Sequence, residues 1–372
     1  MTFCIITHVP HQKIQENIFG YAPYVKEMNI WLKYVDNVIV VAPICKDQIS
    51  AIDSVYIHKS IDFNEIRAFN FITLSSILKA FYYFPKNLFQ IYKAMKSANH
   101  IHLRCPGNIG LLGCCVQIFF PSKTKTAKYA GNWDLKAKQP LSYKFQKWIL
   151  NSSFLTKNMQ VLVYGEWEKN SKNIKPFFTA SYFENEKQDI VPLNFNQVIK
   201  FLFVGTLSNG KQPLYAVKLI EELLKNNRDV ELTIFGDGYE RSIIKNYIAD
   251  KLLDDKIYLM GNQNQEIIKK AYIENHFVIL PSLSEGWPKA VAEGMFWGCL
   301  PIATKVSCVP NMLDNEKRGI LLTMKLNEDV HQIETVLDNE NLYKAKVNQA
   351  IVWSRQYTLD LFENEIKKLL LA

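Results

Sequence analysis

The chain has 372 residues, of which 48% are hydrophobic and 22% charged, and it carries a net charge of +8. These proportions are globular and exclude a disordered or low-complexity protein, and the length exceeds one ordinary core, so two domains of similar size are expected. The seven cysteines are odd in number and form no C-x-x-C pair, which argues against a disulfide framework or zinc site and for reduced packing residues in a cytosolic protein.

Phe3-Cys4-Ile5-Ile6 opens the chain as a short strand with no basic region or cleavage site before it, so no secretory signal is expected. Further strands are predicted at 37–41, 55–57, 100–103, 126–129 and 161–163, with helices around 72–82 and 88–94. This alternation predicts a parallel sheet covered on both faces. The longest apolar run, 109–120, falls short of the ~20 residues a membrane-spanning helix needs. Residues 86–157 hold twelve Lys/Arg and one acid, Asp134. That run predicts either a solvated basic face or a surface for anionic lipid or glycan; no nucleic-acid motif accompanies it.

The rhythm restarts after the polar stretch 184–197. Strands are predicted at 199–204, 231–235, 257–260 and 277–280, with a helix around 214–224. Each of these strands ends in Gly or Pro, at the edge where doubly wound sheets bind ligands. A last helix, 359–371, is too short for a domain and is expected to pack back as a clasp. The division is therefore an N-terminal domain, 1–190, a C-terminal domain, 191–355, and a C-terminal helix segment, 356–372.

Glu285 and Glu293 are the most informative pair. Glu285 follows the strand 277–280 on a turn, and Pro288 suits the first helical position because its missing N–H is unpaired there anyway. The helix then runs 289–297, placing Glu293 roughly 7–8 Å along its axis. The free amides of the helix N-terminus between the two carboxylates form an anion site. This layout suits a hydroxyl-rich ring, a diphosphate and a ribose in a row. The helix is apolar, and glutamates are rarely buried without partners. Two weaker motifs precede it: the strand-loop Phe203 to Pro213, with Gly205, Thr206 and Lys211, and the turn Phe235-Gly236-Asp237-Gly238. The latter lacks the third glycine of a dinucleotide fingerprint.

Together, Phe-Val-Gly-x-Leu with Lys211, Phe-Gly-x-Gly, Gly261 after its strand, Glu-Gly-x-Pro…Glu and the run Gly298 to Thr304 resemble the retaining glycosyltransferases of family 4 over about 199–322. The resemblance implies an α/β GT-B fold of two facing Rossmann-like domains with doubly wound parallel sheets. It implies metal-free transfer of a sugar, with retention, from a UDP- or GDP-linked donor to a glycan or lipid-linked glycan. It assigns Glu293 to the ribose hydroxyls, Glu285 to the donor sugar, and Lys211 to the diphosphate. The amides of Gly286, Trp287, Pro288 and Lys289 would border diphosphate or sugar, Gly205, Thr206 and Gly236 would line the donor, and Gly261-Asn262 the base. No metal and no cofactor beyond the donor are implied. The acceptor points to the cytoplasmic side, at the inner face of a membrane. The same architecture also serves sugar-nucleotide epimerases, phosphorylases and impaired glycan-binding proteins.

Four departures stand out. Thr206 occupies the usual place of an arginine, for which Arg104 or Arg241 are the candidate substitutes. Ser307-Cys308-Val309-Pro310-Asn311 replaces a Gly-Gly loop, Tyr129 stands nearest the expected catalytic-site histidine, and His8-Val9-Pro10-His11 replaces a glycine-rich loop. Asp134, the one acid of the basic stretch, is either a helix cap near Leu135 or a contact to acceptor or donor sugar. The histidines at 8, 11, 100 and 102 show no ligand spacing and are expected to be structural.

Overall fold

The computed structural model describes the chain except residues 46–48, 50–52, 70–73, 169 and 372, and its side chains except also those of 74–81. The first half contains β1 (Thr2–Ile6), β2 (His11–Ile14), β3 (Asn17–Tyr21), α1 (Ala22–Leu32), β4 (Asn37–Ala42), β5 (Asp53–Val55), β6 (Ile61–Glu65) and α2 (Leu74–Ser97). It continues through β7 (His100–Cys105), α3 (Asn108–Val116), β8 (Thr124–Tyr129), α4 (Leu141–Leu150), β9 (Met159–Tyr164) and β10 (Ile174–Phe177). The second half contains β11 (Ile199–Val204), α5 (Pro213–Lys225), β12 (Val230–Phe235), α6 (Arg241–Asp250), β13 (Ile257–Gly261), α7 (Gln265–Glu274) and β14 (Phe277–Leu280). Then come α8 (Lys289–Phe296), β15 (Leu300–Thr304), α9 (Val309–Met312), β16 (Ile320–Leu322), α10 (Leu326–Leu337), α11 (Glu340–Ser354) and α12 (Leu359–Leu371).

Two compact units result, one of Met1–Phe178 with Phe362–Ala372, the other of Thr179–Leu361. The first is built on a seven-stranded sheet ordered β10-β9-β8-β7-β1-β4-β6, the second on a six-stranded sheet ordered β13-β12-β11-β14-β15-β16. All pairs in both sheets are parallel. Each order reverses direction beside its first strand, as doubly wound sheets do. Burial on both faces explains the unbroken apolar strands: along β11, Phe201 and Phe203 enter one core and Leu202 the opposite one. Successive side chains of a strand point to opposite faces, so one sequence run feeds two helical layers.

The first unit departs from its predicted rhythm in three places. The strand expected at 55–57 is β5, and it joins β3 antiparallel in a separate three-stranded sheet β2-β3-β5. Ile18 and Tyr56 bury against this hairpin, and the Tyr56 hydroxyl meets His11 Nε2 at 2.9 Å. The parallel strand in that part of the chain is instead β6, whose sequence Ile-Asp-Phe-Asn-Glu suits a sheet edge and lacks an apolar signal. Finally, the two helices expected around 72–82 and 88–94 are one, α2, with Pro85 inside it; residues 72 and 73 lie outside the described chain. The last helix matches its predicted span. Its Glu363 accepts from Lys33 and Tyr34, and its Glu365 pairs with Lys175 at 2.8 Å, all within the first unit.

Candidate active site

The reversal of strand order in the second unit lies between β11 and β14, so the loops leaving these two strands face one another at the carboxyl edge. The backbone joins them: the Leu283 N–H donates to the Gly210 carbonyl at 2.9 Å. Lys211 Nζ then reaches Glu285 Oε1 at 2.5 Å, with the glutamate side chain 7% and the lysine 30% exposed. The carboxylate is thus buried with Lys211 as its one charged partner among the described residues, while the ammonium keeps access to solvent. The sequence placed these residues in separate motifs, and the fold brings them together.

The glycines of the weaker motifs converge on the neighbouring strand ends. The Gly205 N–H donates to the Phe235 carbonyl at 3.0 Å, and the Gly236 N–H to the Gly261 carbonyl at 2.9 Å. Gly236 has φ +138°, and a Cβ there would stand 1.9 Å from the Gly205 carbonyl oxygen. Only glycine permits that approach. Thr206 and Asn262 are exposed beside these turns. Past β14, Ser282 and Thr304 line a cavity of about 590 Å³ with Lys305, Thr323 and Gln332.

Helix α8 begins at Lys289, with Pro288 as its N-cap at φ −73°, ψ 90°, and not as its first helical residue. Proline ψ in the extended range holds it outside the first turn while its carbonyl accepts the Ala292 N–H at 3.1 Å. The amides of that turn therefore point outward toward the Glu285 loop. Glu293 lies in the fifth helical position, where Ser181 Oγ donates to it at 2.5 Å and the Tyr272 hydroxyl at 3.4 Å. Burial, and then the Glu293 charge, push the Tyr182 hydroxyl far above its usual range. A narrow crevice runs past Glu293 between Ser181, Trp287, Lys289, Trp353 and Tyr357. Its wall is aromatic: Trp287 stacks on Trp353 at 6.2 Å and meets Tyr357 edge-on at 5.4 Å. Sequence reasoning missed Ser181, Tyr272, Trp353 and Tyr357, which are remote in the chain and follow no spacing rule.

The departures from the family pattern have concrete outcomes. Ser307 takes the left-handed conformation, φ +50°, that a glycine adopts freely. Its hydroxyl and the Cys308 thiol both donate to the Gly286 carbonyl at 3.2 Å, fixing the turn that carries Glu285. Burial pushes the Cys308 thiol up to about 12, and the Glu285 charge adds to this. Arg104 is engaged elsewhere: its Nη1 pairs with Glu27 at 3.1 Å, and Lys128 Nζ takes the other carboxylate oxygen at 2.9 Å. Arg241 belongs to the second unit. Its Nη1 is buried, has no hydrogen-bond partner among the described residues, and lies 3.7 Å from where a Gly261 Cβ would stand.

In the first unit, Tyr129 is fully buried, packed edge-on to Trp133 at 5.0 Å, so its ring belongs to the core. Asp134 caps a turn and not a helix, since α4 starts only at Leu141. Its Oδ1 accepts the Lys136 N–H at 2.8 Å and its carbonyl accepts Lys147 Nζ at 2.9 Å. His11, His100 and His102 are buried, the latter two each 2.9 Å from Thr126 Oγ1. The basic stretch is not one face. Lys125, Lys128 and Lys147 are buried with Arg104 nearly so, and Lys123 donates to the Met95, Lys96 and Ala98 carbonyls at the end of α2.

Two doubly wound, wholly parallel units of this kind constitute the GT-B architecture. It is shared with a sucrose-phosphate synthase from Thermosynechococcus elongatus, at a TM-score of 0.69 and 14% identity over 99% of this chain and 98% of that one. The Anabaena protein HepE, solved in complex with UDP and glucose, superposes at a TM-score of 0.68 and 12% identity over 100% and 99% of the two chains. Residues 184–353 match the family model of glycosyl transferases group 1. The Escherichia coli UDP-Gal:alpha-D-GlcNAc-diphosphoundecaprenol alpha-1,3-galactosyltransferase is 28% identical over 179 residues, 46% of this chain and 45% of that protein. The chain thus spans about half the length of this curated relative.

Proposed function

We propose that the protein is a retaining, metal-independent glycosyltransferase that moves a sugar from a UDP- or GDP-linked donor to a glycan or lipid-linked glycan. The observation that carries this reading is the Lys211–Glu285 pair at 2.5 Å on the strand-order reversal, beside the N-terminus of α8. In the proposed complex Lys211 and the α8 amides take the diphosphate, Glu285 the sugar hydroxyls, Glu293 the ribose, and Gly261-Asn262 border the base. As the glycosidic bond breaks, charge grows on the leaving diphosphate, where an ammonium and a helix N-terminus stabilise it. The departing phosphate itself accepts the acceptor's proton, so a side-chain base is not required. Asp134 is proposed as a contact to acceptor or donor sugar. The similar E. coli enzyme, named for a diphosphoundecaprenol substrate, supports an acceptor at the inner face of the membrane, with peripheral contact through the basic first unit. No helix among the described residues is long and apolar enough to cross a membrane.

A thermal-shift screen of UDP-, GDP-, ADP- and CMP-linked sugars tests the donor. A ligand at 100 times its Kd raises stability by about 2.7 kcal/mol, and one base class is expected to stand out. Glu293→Ala removes a charged hydrogen-bond acceptor worth about 1.5–3 kcal/mol, so its Kd for that nucleotide should rise on the order of 10- to 100-fold. Unchanged nucleotide affinity in Glu293→Ala sinks the site assignment. Donor conversion without any acceptor points to an epimerase instead.

A further inference from the structure

Helix α4 turns an apolar stripe to solvent. Its Gln146, Lys147, Ile149 and Leu150 are buried, while Leu141, Phe145 and Trp148 are 82, 48 and 62% exposed. At 3.6 residues per turn these three lie within about 60° of one another. The Phe145 and Trp148 rings stack at 5.7 Å and 13°. Leu135 and Phe154, exposed by 55 and 76%, meet Trp148 around one open depression of about 600 Å³. Such a contiguous apolar patch on a water-facing surface marks a contact site.

Charge identifies the contact. Lys136, Lys138, Lys144 and Lys157 are all exposed around the patch, and Lys157 Nζ lies 5.6 Å from the Phe154 ring centre. Residues 135–157 contain no acid, and no acidic side chain lines the depression. These lysines are what remains on this side once Lys123, Lys125, Lys128 and Lys147 are committed to carbonyls or buried.

We propose that the α4 stripe, with Leu135 and Phe154 and the ring of Lys136, Lys138, Lys144 and Lys157, docks on an anionic lipid bilayer. Aromatic side chains favour the boundary between acyl chains and headgroups, where a ring buries its body and keeps a polar edge wet. Lysines beside them gain from the negative surface potential. A second copy of the chain fits the patch poorly, because a two-fold contact sets the same lysine ring against itself. The proposal deepens the membrane contact inferred above and stands independently of the transfer reaction.

Co-sedimentation with phosphatidylcholine vesicles, with and without phosphatidylglycerol, tests it. The protein should pellet with the anionic vesicles and release at high salt. Phe145→Ser with Trp148→Ser should abolish pelleting. Lys136→Gln, Lys138→Gln and Lys144→Gln together should weaken it about 100-fold, roughly fivefold per lysine. Circular-dichroism melts and the nucleotide-sugar thermal shift should stay unchanged in both variants, so failure of docking and failure of the donor reading are read separately. The proposal is overturned if the unaltered protein stays in the supernatant with anionic vesicles, or if the variants pellet like it. It is equally overturned if sedimentation velocity shows a dimer that the Phe145/Trp148 variant dissociates.

Discussion

Replacing Glu285 by Gln tests the candidate site most directly, because it keeps shape and removes one charge. The carboxylate lies 2.5 Å from Lys211 Nζ and its side chain is 7% exposed, whereas the lysine is 30% exposed. After substitution the ammonium is not stranded: it swings to water. The stability loss should therefore be nearer the surface-pair range than the 3–5 kcal/mol of a fully buried broken pair, about 1–2 kcal/mol. For a unit of the size of Thr179–Leu361 that is a fall in Tm of roughly 2–8 °C. A domain with about 5–15 kcal/mol in hand remains almost wholly folded after such a loss. Any large fall in turnover must then arise in the site. If Glu285 orients the donor sugar and fixes Lys211, kcat should drop on the order of 10²–10³-fold, the scale set by losing one preorganised transition-state contact. The assay is product formation against a fixed acceptor, with kcat and KM separated, alongside a melt of the same preparation. Turnover within threefold of the unaltered enzyme at a Tm shift of this size refutes the assignment.

Three further outcomes follow from the two units. Gly236→Ala places a methyl 1.9 Å from the Gly205 carbonyl at φ +138°, so backbone strain and overpacking of about 1–3 kcal/mol each should appear as a lower urea midpoint. Glu27→Gln leaves Arg104 and Lys128 buried without their counter-charge. This should destabilise the first unit by about 3–5 kcal/mol, and Lys128→Met in the same chain should restore part of it, both read from denaturant melts. Burial holds His11 and His100 down at about 4 from 6.5. Because the unfolded chain binds their protons first, the stability they contribute is present above pH 6.5 and lost as pH falls toward 4. Each should lose about 1.4 kcal/mol by pH 5.5. Urea melts at pH 7.5 and 5.5 measure this, and replacing both by Asn should flatten the difference.

The second unit was legible because its signals are local. Strands buried on both faces are apolar along their length, β11 to β14 each run into a Gly or Pro, and the spans of β11 and β14 match their predicted limits. Glu285 and Glu293 could be placed because a turn and one helix carry both. What failed was whatever depends on partners far along the chain. An edge strand such as β6 carries no apolar run, and the apolar run 55–57 overlaps β5 (Asp-Ser-Val) only at Val55, in a strand that pairs with a hairpin. Nothing in the spacing shows that Ser181 and Tyr272 hold Glu293, or that Cys308 and Ser307 clamp Gly286. The basic run misled for the same reason: charge counted along the chain does not reveal that Lys125, Lys128 and Lys147 turn inward.

On the proposed reading the cation paired with Glu285 is Lys211, reinforced by the α8 N-terminus, equivalent to roughly half a positive charge. Without donor, Lys211 and Glu285 neutralise one another, and neither is buried alone. In the proposed donor complex the ammonium would pass to the diphosphate and the carboxylate to sugar hydroxyls, so the site would exchange partners without stranding a charge. Thr206, exposed where the family pattern has an arginine, supplies no cation of its own to the proposed diphosphate site. Donor affinity then rests on the exchange itself. It follows that Lys211 and Glu285 act as one unit, and that removing either should weaken nucleotide binding and turnover together, not one alone.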